Sequence, residues 1–412
     1  MTTTAPKNRL RRIAADTRPL ADPVFRRTFL GQGAAVIGTM VTEVAVPVQI
    51  YDLTHSSFAV GLAGLAGLVP LLVFGLYGGA VADAVDRRRL YLASSALTWT
   101  VTLALLAQAV AGLGSVPLIL ALVAVQSGGF AVSSAVRGAI TPALVAPGLV
   151  PAANSLTYTA STVGQVLGPL VAGVLLGLPN GFCYAYAADA VLFTAALYAT
   201  FRLPPLRSTE PIGRPGLRSV LDGLRFLAGR RVLLMSFLLD IAAMVLAMPT
   251  ALFPEAAETR WHGGVGLLYS SIAIGSVLAG LSSGWIGRVR RQGVALAAAV
   301  AVWAGAVALA GLAPSLWLAV ALLVVAGAAD LVSAVYRQTI LQTAVPDRMR
   351  GRLQGVYTVV VTGGPRLGDL RAGIMASAVP LTLAWSGTAL LCVVLVVAGA
   401  VLARSFWRYT PS

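Results

Sequence analysis

The sequence predicts an all-α integral membrane protein: twelve transmembrane helices in two pseudo-symmetric six-helix bundles. Three observations predict it: the composition, the alternation of apolar runs with basic loops, and an internal echo at an offset of about 200 residues. Of 412 residues, 58% are hydrophobic and 11% charged, whereas a soluble domain carries about 25% charged residues. Apolar runs of about 20 residues suit membrane-spanning helices.

In chain order the spans read 28–52, 58–83, 89–112, 115–144, 152–177, 182–203, 232–254, 264–288, 292–312, 315–344, 351–377 and 380–403. The resulting organisation is a basic tail (1–27), a six-helix bundle (28–203), a linker (204–231), a second six-helix bundle (232–403) and a short tail (404–412). In the linker, Leu217, Val220, Leu221, Leu224 and Leu227 fall at helical spacing with arginines opposite. That pattern predicts an amphipathic helix at the membrane interface.

The formal charge of +15 raises the question of nucleic acid, and the placement of the charges answers it. Arginines gather in every second loop, as at Arg87 to Arg89, Arg202 to Arg231 and Arg288 to Arg291, and Arg260 is the clear exception. This is the positive-inside pattern, which puts the basic loops and both termini in the cytoplasm of a multi-pass inner (plasma) membrane protein. It argues against a nucleic-acid partner. The basic tail leads into a full span without a small-residue cleavage site, so it reads as uncleaved.

Other chemistries find little footing. Lys7 is the one lysine, so no G-x-x-x-x-G-K-[ST] phosphate loop occurs. Cys183, Cys392, His55 and His262 stand singly, which gives no metal site, no cofactor site, no disulfide framework and no nucleophile set against a histidine. The chain does not read as an enzyme.

The halves echo one another. "AVRGAITPALV" (135–145) lies opposite "VYRQTILQTAV" (335–345), setting Arg137 against Arg337, and "GGAVADAVDRRR" at the end of span two has a shorter counterpart, "SGWIGRVRRQ", at the end of span eight. Two parallel repeats with a midplane site between them are an arrangement used by transporters.

These residues resemble the major facilitator superfamily, whose loop between helices two and three carries a G-x-L-A-D-R-x-G-R-R type motif. Gly79, Asp83, Arg87 and Arg88 match it, whereas Ala84 and Asp86 depart from it. "AVPVQIYDLTHSS", "VPAANSLTYT", "LLDIAAMVLAMPTALFP" and "GAADLVSAVYRQTILQ" are similar to the branch of enterobactin (siderophore) exporters and related actinobacterial efflux proteins. The resemblance covers about residues 25 to 405. It implies a major facilitator fold whose helices one, four, seven and ten line a central cavity, and a latch in which Asp83 pairs across the cytoplasmic face, with Arg137 as a candidate partner. Part of the motif has a simpler reading: the arginines set topology and the glycines permit close helix approach.

In span five, Ala160, Gly164, Gly168 and Ala172 recur every four residues beside Pro169, a smooth stripe for helix packing. The stretch also resembles the G-x-x-x-G-P-x-x-G-G motif of exporters, matched by Gly164, Gly168, Pro169 and Gly173, with Ala172 in place of a glycine.

Acids inside the spans point most directly to function, because each costs about 2.5–3.5 kcal/mol at the bilayer centre and faces a cavity or a partner. Glu43, Asp240 and Asp330 fall on helices that the resemblance assigns to the cavity, and carboxylates in such surroundings can take up and release a proton. Each has a plainer alternative as a packing residue, and Asp330 could be permanently paired with Arg337 two turns along. Asp189 reads as a packing residue. Arg366 and Asp369 can pair three residues apart, leaving Arg371 to attract an anionic substrate or to snorkel. Tyr158, Trp303, Tyr336 and Tyr357 could stack on a substrate ring or simply pack.

The expectation is a proton-coupled exporter of a small amphiphilic molecule, a siderophore or similar metabolite, working by alternating access. Its partners are substrate, protons and lipid bilayer, and it reads as a monomer. A multidrug efflux antiporter is the alternative, and a non-transporting receptor or scaffold is a third reading.

Overall fold

The structure is a computed structural model that describes residues 16–84, 86–204, 225–289, 291–345 and 347–402. The linker helix expected within 204–231 lies largely outside the described residues.

The first helix, α1 (Pro23–Thr54), starts where Asp22 accepts from the backbone N–H of Val24 (2.7 Å) and Phe25 (2.9 Å), with Pro23 in a position where no N–H is needed. It ends at His55 in the left-handed region, φ 46°. Next come α2 (Ser57–Ala84), α3 (Arg87–Val110), α4 (Val116–Leu144), α5 (Val150–Leu176) and α6 (Gly181–Phe201). The second half repeats the series as α7 (Arg231–Leu246), α8 (Val265–Leu281), α9 (Gln292–Ala310), α10 (Leu316–Ala344), α11 (Asp347–Ala378) and α12 (Thr388–Leu402). The echo extends to the caps: Ser115 and Ser315 occupy the same position before α4 and α10, each accepting from an N–H three residues on.

Among the described residues nine helices are long and apolar enough to cross a membrane, α7 and the short helix after it counting as one. α8 and the stretch Leu383–Gly399 are apolar but shorter. α11 is 32 residues long and carries Arg366, Asp369 and Arg371 in its body. α7 stops early, and the chain continues through a 3-10 turn (Thr250–Leu252) into the short helix Phe253–Thr259. A π-helical turn, Leu383–Gly387, leads into α12.

Packing obeys the repeat. α1 packs on α5 and α6, α2 on α4, and α3 on α4 and α6; six helices later α7 packs on α11 and α12, α8 on α10, and α9 on α10 and α12. The bundles join through α2 with α11 and α5 with α8, a pair that a two-fold exchange of halves maps onto itself. Glycines make this junction possible: a Cβ on Gly173 of α5 would stand 3.0 Å from the Gly266 Cα of α8, and one on Gly61 of α2 would stand 3.2 Å from the Gly373 Cα of α11. Both contacts lie toward the face that carries His55 and the loop 260–264, called here the His55 face.

Candidate functional site

Buried charges needing partners organise the second bundle. Asp240 of α7 and Arg337 of α10 form an ion pair, with 2% and 5% of their side chains exposed. Asp330, two turns from Arg337 on α10, stands 3.7 Å from its guanidinium and is 30% exposed. One cation thus sits between two carboxylates from different helices. Tyr357 of α11 also reaches Arg337, and its ring meets Phe237 of α7 edge-on at 6.2 Å.

Among the described residues the first bundle shows no such arrangement. Arg137, the counterpart of Arg337, lies 5.9 Å from the ring centre of Phe130, which occupies the position of Asp330. Arg137 also borders a recess of about 390 Å³ with Gln32, Asn154, Thr157, Tyr158 and Ser161. Tyr158 is exposed there, whereas Trp303 and Tyr336 are buried among apolar neighbours.

Glu43 is exposed although it sits well inside α1, between the buried Thr42 and Val44. Arg366 of α11 is within electrostatic reach of Glu43, and both Glu43 and Asp369 are within reach of Tyr269 on α8. Glu43, Arg366 and Asp369 therefore form a charged group where the two bundles face each other. Asp189 belongs to the bundle interior: it is 1% exposed and accepts from Thr42 (2.6 Å) and Thr102 (3.2 Å), which fits its reading as a packing residue.

Two sequence expectations change on α11. Arg366 and Asp369 form no ion pair within 4.0 Å; Asp369 instead accepts from the Thr250 hydroxyl and from the N–H of Ala251 at 3.2 Å. The helix break after Leu246 leaves backbone groups free at that depth, and they compete successfully for the carboxylate. Arg371 is no spare cation. It donates to the carbonyls of Val245 (2.9 Å), Met248 (2.9 Å) and Ala384 (3.2 Å) and to the Thr388 hydroxyl (2.5 Å), occupying its guanidinium with the ends of two irregular segments. Helix ends leave carbonyls unpaired, and in a membrane a neighbouring side chain must satisfy them.

In the loop motif Gly79 falls within α2, and the side chains of Asp83 and Arg87 lie outside the described residues. Arg88 donates to the Phe201 carbonyl at 2.6 Å, tying α3 to the end of α6. Asp86 has a local role: its carboxylate accepts from the N–H of Arg88 (2.8 Å) and Arg89 (3.4 Å), capping α3. In α5, the stripe expected for packing faces α1, with Gly164 against Val36 and Gly168 against Met40. Pro169 and Gly173 meet Gly266 of α8, so the exporter-like stretch touches both bundles.

Sequence reasoning missed a contact on the His55 face. Glu255 of the short helix accepts from the Ser57 hydroxyl, and Glu258 stands 3.7 Å from His55. Nothing local marks these residues, since acids and serines near helix ends are usual cap and surface residues.

The sequence profile of the family described as transmembrane secretion effector matches residues 14–406. The enterobactin exporter EntS of Shigella flexneri is 32% identical over 415 residues, 94% of each chain. That of Citrobacter koseri is 30% identical over 384 residues, 87% of each chain. Among solved structures, the fold is similar to the nucleoside transporter NupG, with a TM-score of 0.72 at 14% identity over 94% of this chain and 100% of that one. It is also similar to a bacterial homologue of the iron transporter ferroportin in an inward-facing state, with a TM-score of 0.70 at 15% identity over 94% and 99%. At these identities the structural likeness speaks to fold alone.

Proposed function

The chain belongs to the transmembrane secretion effector family, in the enterobactin-exporter branch of the major facilitator superfamily, and from that premise we propose that this multi-pass membrane transporter is a proton-coupled exporter of a small amphiphilic molecule, a siderophore or similar metabolite. The two halves, 28–203 and 232–403, rock about a midplane site by alternating access. The basic loops and both termini face the cytoplasm of the inner membrane, and the His55 face is external.

The observation that carries the proposal is the charge count. In the second bundle Arg337 serves two acids, Asp240 and Asp330, and Glu43, exposed on α1, is within electrostatic reach of Arg366 on α11 of the other half. With both acids ionised, the three-residue group carries one net negative charge, and one bound proton makes it neutral. Taking up and releasing that proton as the halves exchange is what an antiporter needs. Export is supported by the relatives named above and by the α5 stretch Gly164, Gly168, Pro169 and Gly173, whose last two residues sit where the bundles meet. Gly79, Asp83, Arg87, Arg88 and Arg137 form the cytoplasmic gate motif in this reading, and the transporter acts as a monomer.

The test is transport in everted vesicles under an imposed proton gradient, with a catecholate siderophore and cationic dyes offered side by side. Gradient-dependent accumulation of the siderophore supports the reading. Accumulation of the dyes alone would turn it to multidrug efflux, and indifference to the gradient would remove proton coupling.

A further inference from the structure

α7 is broken between Leu246 and Thr250, where Pro249 cannot donate a backbone hydrogen bond. Two residues one helical half-turn apart on α11 hold the two sides of the break. Arg371 binds the carbonyls of Val245 and Met248, which the end of α7 leaves free. Asp369 binds the Thr250 hydroxyl and the Ala251 N–H, where the chain resumes.

Beyond the break the chain forms a compact strut, residues 250–259. Its inner end is seated by Asp369 and by Tyr269, which donates to the Thr250 carbonyl at 3.0 Å. Its middle is wedged by Phe253, whose ring centre lies 5.0 Å from Tyr269 and 5.4 Å from Trp385. Its outer end reaches the other bundle, where Glu255 meets Ser57 at the start of α2 and Glu258 approaches His55 at the end of α1. The strut therefore joins α11, beside Arg366, to the contact with α1 and α2 on the His55 face.

We propose that Asp369 is a positioning residue of the transport cycle: by seating Thr250 it sets the strut that keeps Glu255 on Ser57, and so ties movement of α11 at the central site to opening of the His55 face. Arg371 holds the near side of the break still, so that displacement at Asp369 is passed to the strut rather than absorbed in α7. Bistable packed elements transmit small shifts in this way. The inference rests on the alternating-access reading.

The test uses the full-length protein in cells, with Cys183→Ser and Cys392→Ala as background and Val60→Cys as reporter. Val60 is 3% exposed on α2, one turn inside the Ser57 contact. The measurement is its rate of labelling by a membrane-impermeant maleimide. Thr250→Val and Asp369→Ala each raise the rate by about ten-fold, the effect on a two-state gate of losing a hydrogen bond to a charged group. The double variant is no faster than the faster single one, because Asp369→Ala already removes the contact that Thr250→Val removes. Thr250→Ser, which keeps the hydroxyl, returns the wild-type rate, an outcome that a general loosening of the fold would not produce. Glu255→Gln, acting on the contact itself, also raises labelling. If Asp369→Ala does not reach the membrane, Thr250→Val and Thr250→Ser decide. A wild-type rate in Thr250→Val beside a raised rate in Glu255→Gln overturns the role of Asp369 and leaves alternating access standing. No change in either overturns the strut and the gating reading together.

Discussion

Arg337 pairs most closely with Asp240, which belongs to another helix, while Asp330 on its own helix lies farther off at 3.7 Å. The long-range pair ties α7 to α10 and leaves Asp330 as the more exposed, more loosely held acid. Stability and proton exchange can therefore be pulled apart.

The first prediction concerns stability. Arg337→Ala leaves Asp240 buried without its cation and lowers stability by about 3–5 kcal/mol, read as thermal unfolding of the detergent-solubilised protein. Replacing both partners with apolar residues, Asp240→Leu with Arg337→Met, restores most of the loss because both deeply buried charges are gone and the remaining acid, Asp330, is 30% exposed. If the double variant is as unstable as the single, the pair is not the source of the effect.

A second prediction separates coupling from packing. Asp330→Asn preserves shape and much of the hydrogen-bonding capacity but cannot exchange a proton. Substrate exchange across vesicles without a gradient continues at near the wild-type rate, whereas accumulation driven by a proton gradient is lost. Asp240→Asn and Glu43→Gln, measured in the same way, rank the three acids. Gradient-driven accumulation in all three variants would remove them from the proton path.

The loop motif splits into two measurable roles. Asp86→Ala removes the cap of α3 and costs about 1 kcal/mol of stability with little change in turnover per folded molecule. Asp83→Asn does the reverse in the latch reading: stability is kept, substrate binding is kept and turnover falls. Normal turnover in Asp83→Asn would reduce the motif to a signal for topology.

Close approach of α5 and α8 supplies a further test. A side chain at Gly173 collides with the Gly266 backbone, so Gly173→Val forces the bundles apart at a cost of about 1–3 kcal/mol. The expected readout is faster maleimide labelling of Val60→Cys together with slower transport. An unchanged labelling rate would mean that this junction does not hold the His55 face shut.

Topology is tested by cysteines at Arg88 and Arg288, expected to label from the cytoplasm, and at His55 and Arg260, expected to label from outside. Labelling of the Arg260 position from the cytoplasm would invert the orientation.

The sequence by itself determined the spanning segments, their order and the repeat, because in a bilayer each spanning segment must satisfy its own backbone and so carries its signal locally, as apolar length and basic loop ends. It also marked Glu43, Asp189, Asp240, Asp330 and Asp369 as costly residues needing an explanation. Only the tertiary structure decided their partners. Spacing along one helix suggested Arg366 with Asp369 and Asp330 with Arg337, yet Asp369 went to the broken start of the strut at Thr250 and Asp240 supplied the closer partner of Arg337. The sequence puts Phe130 at the repeat position of Asp330, and the structure added that its ring lies 5.9 Å from Arg137. A buried charge is drawn to the nearest unsatisfied group of complementary polarity, and which groups are near is set by how helices distant in the chain pack together.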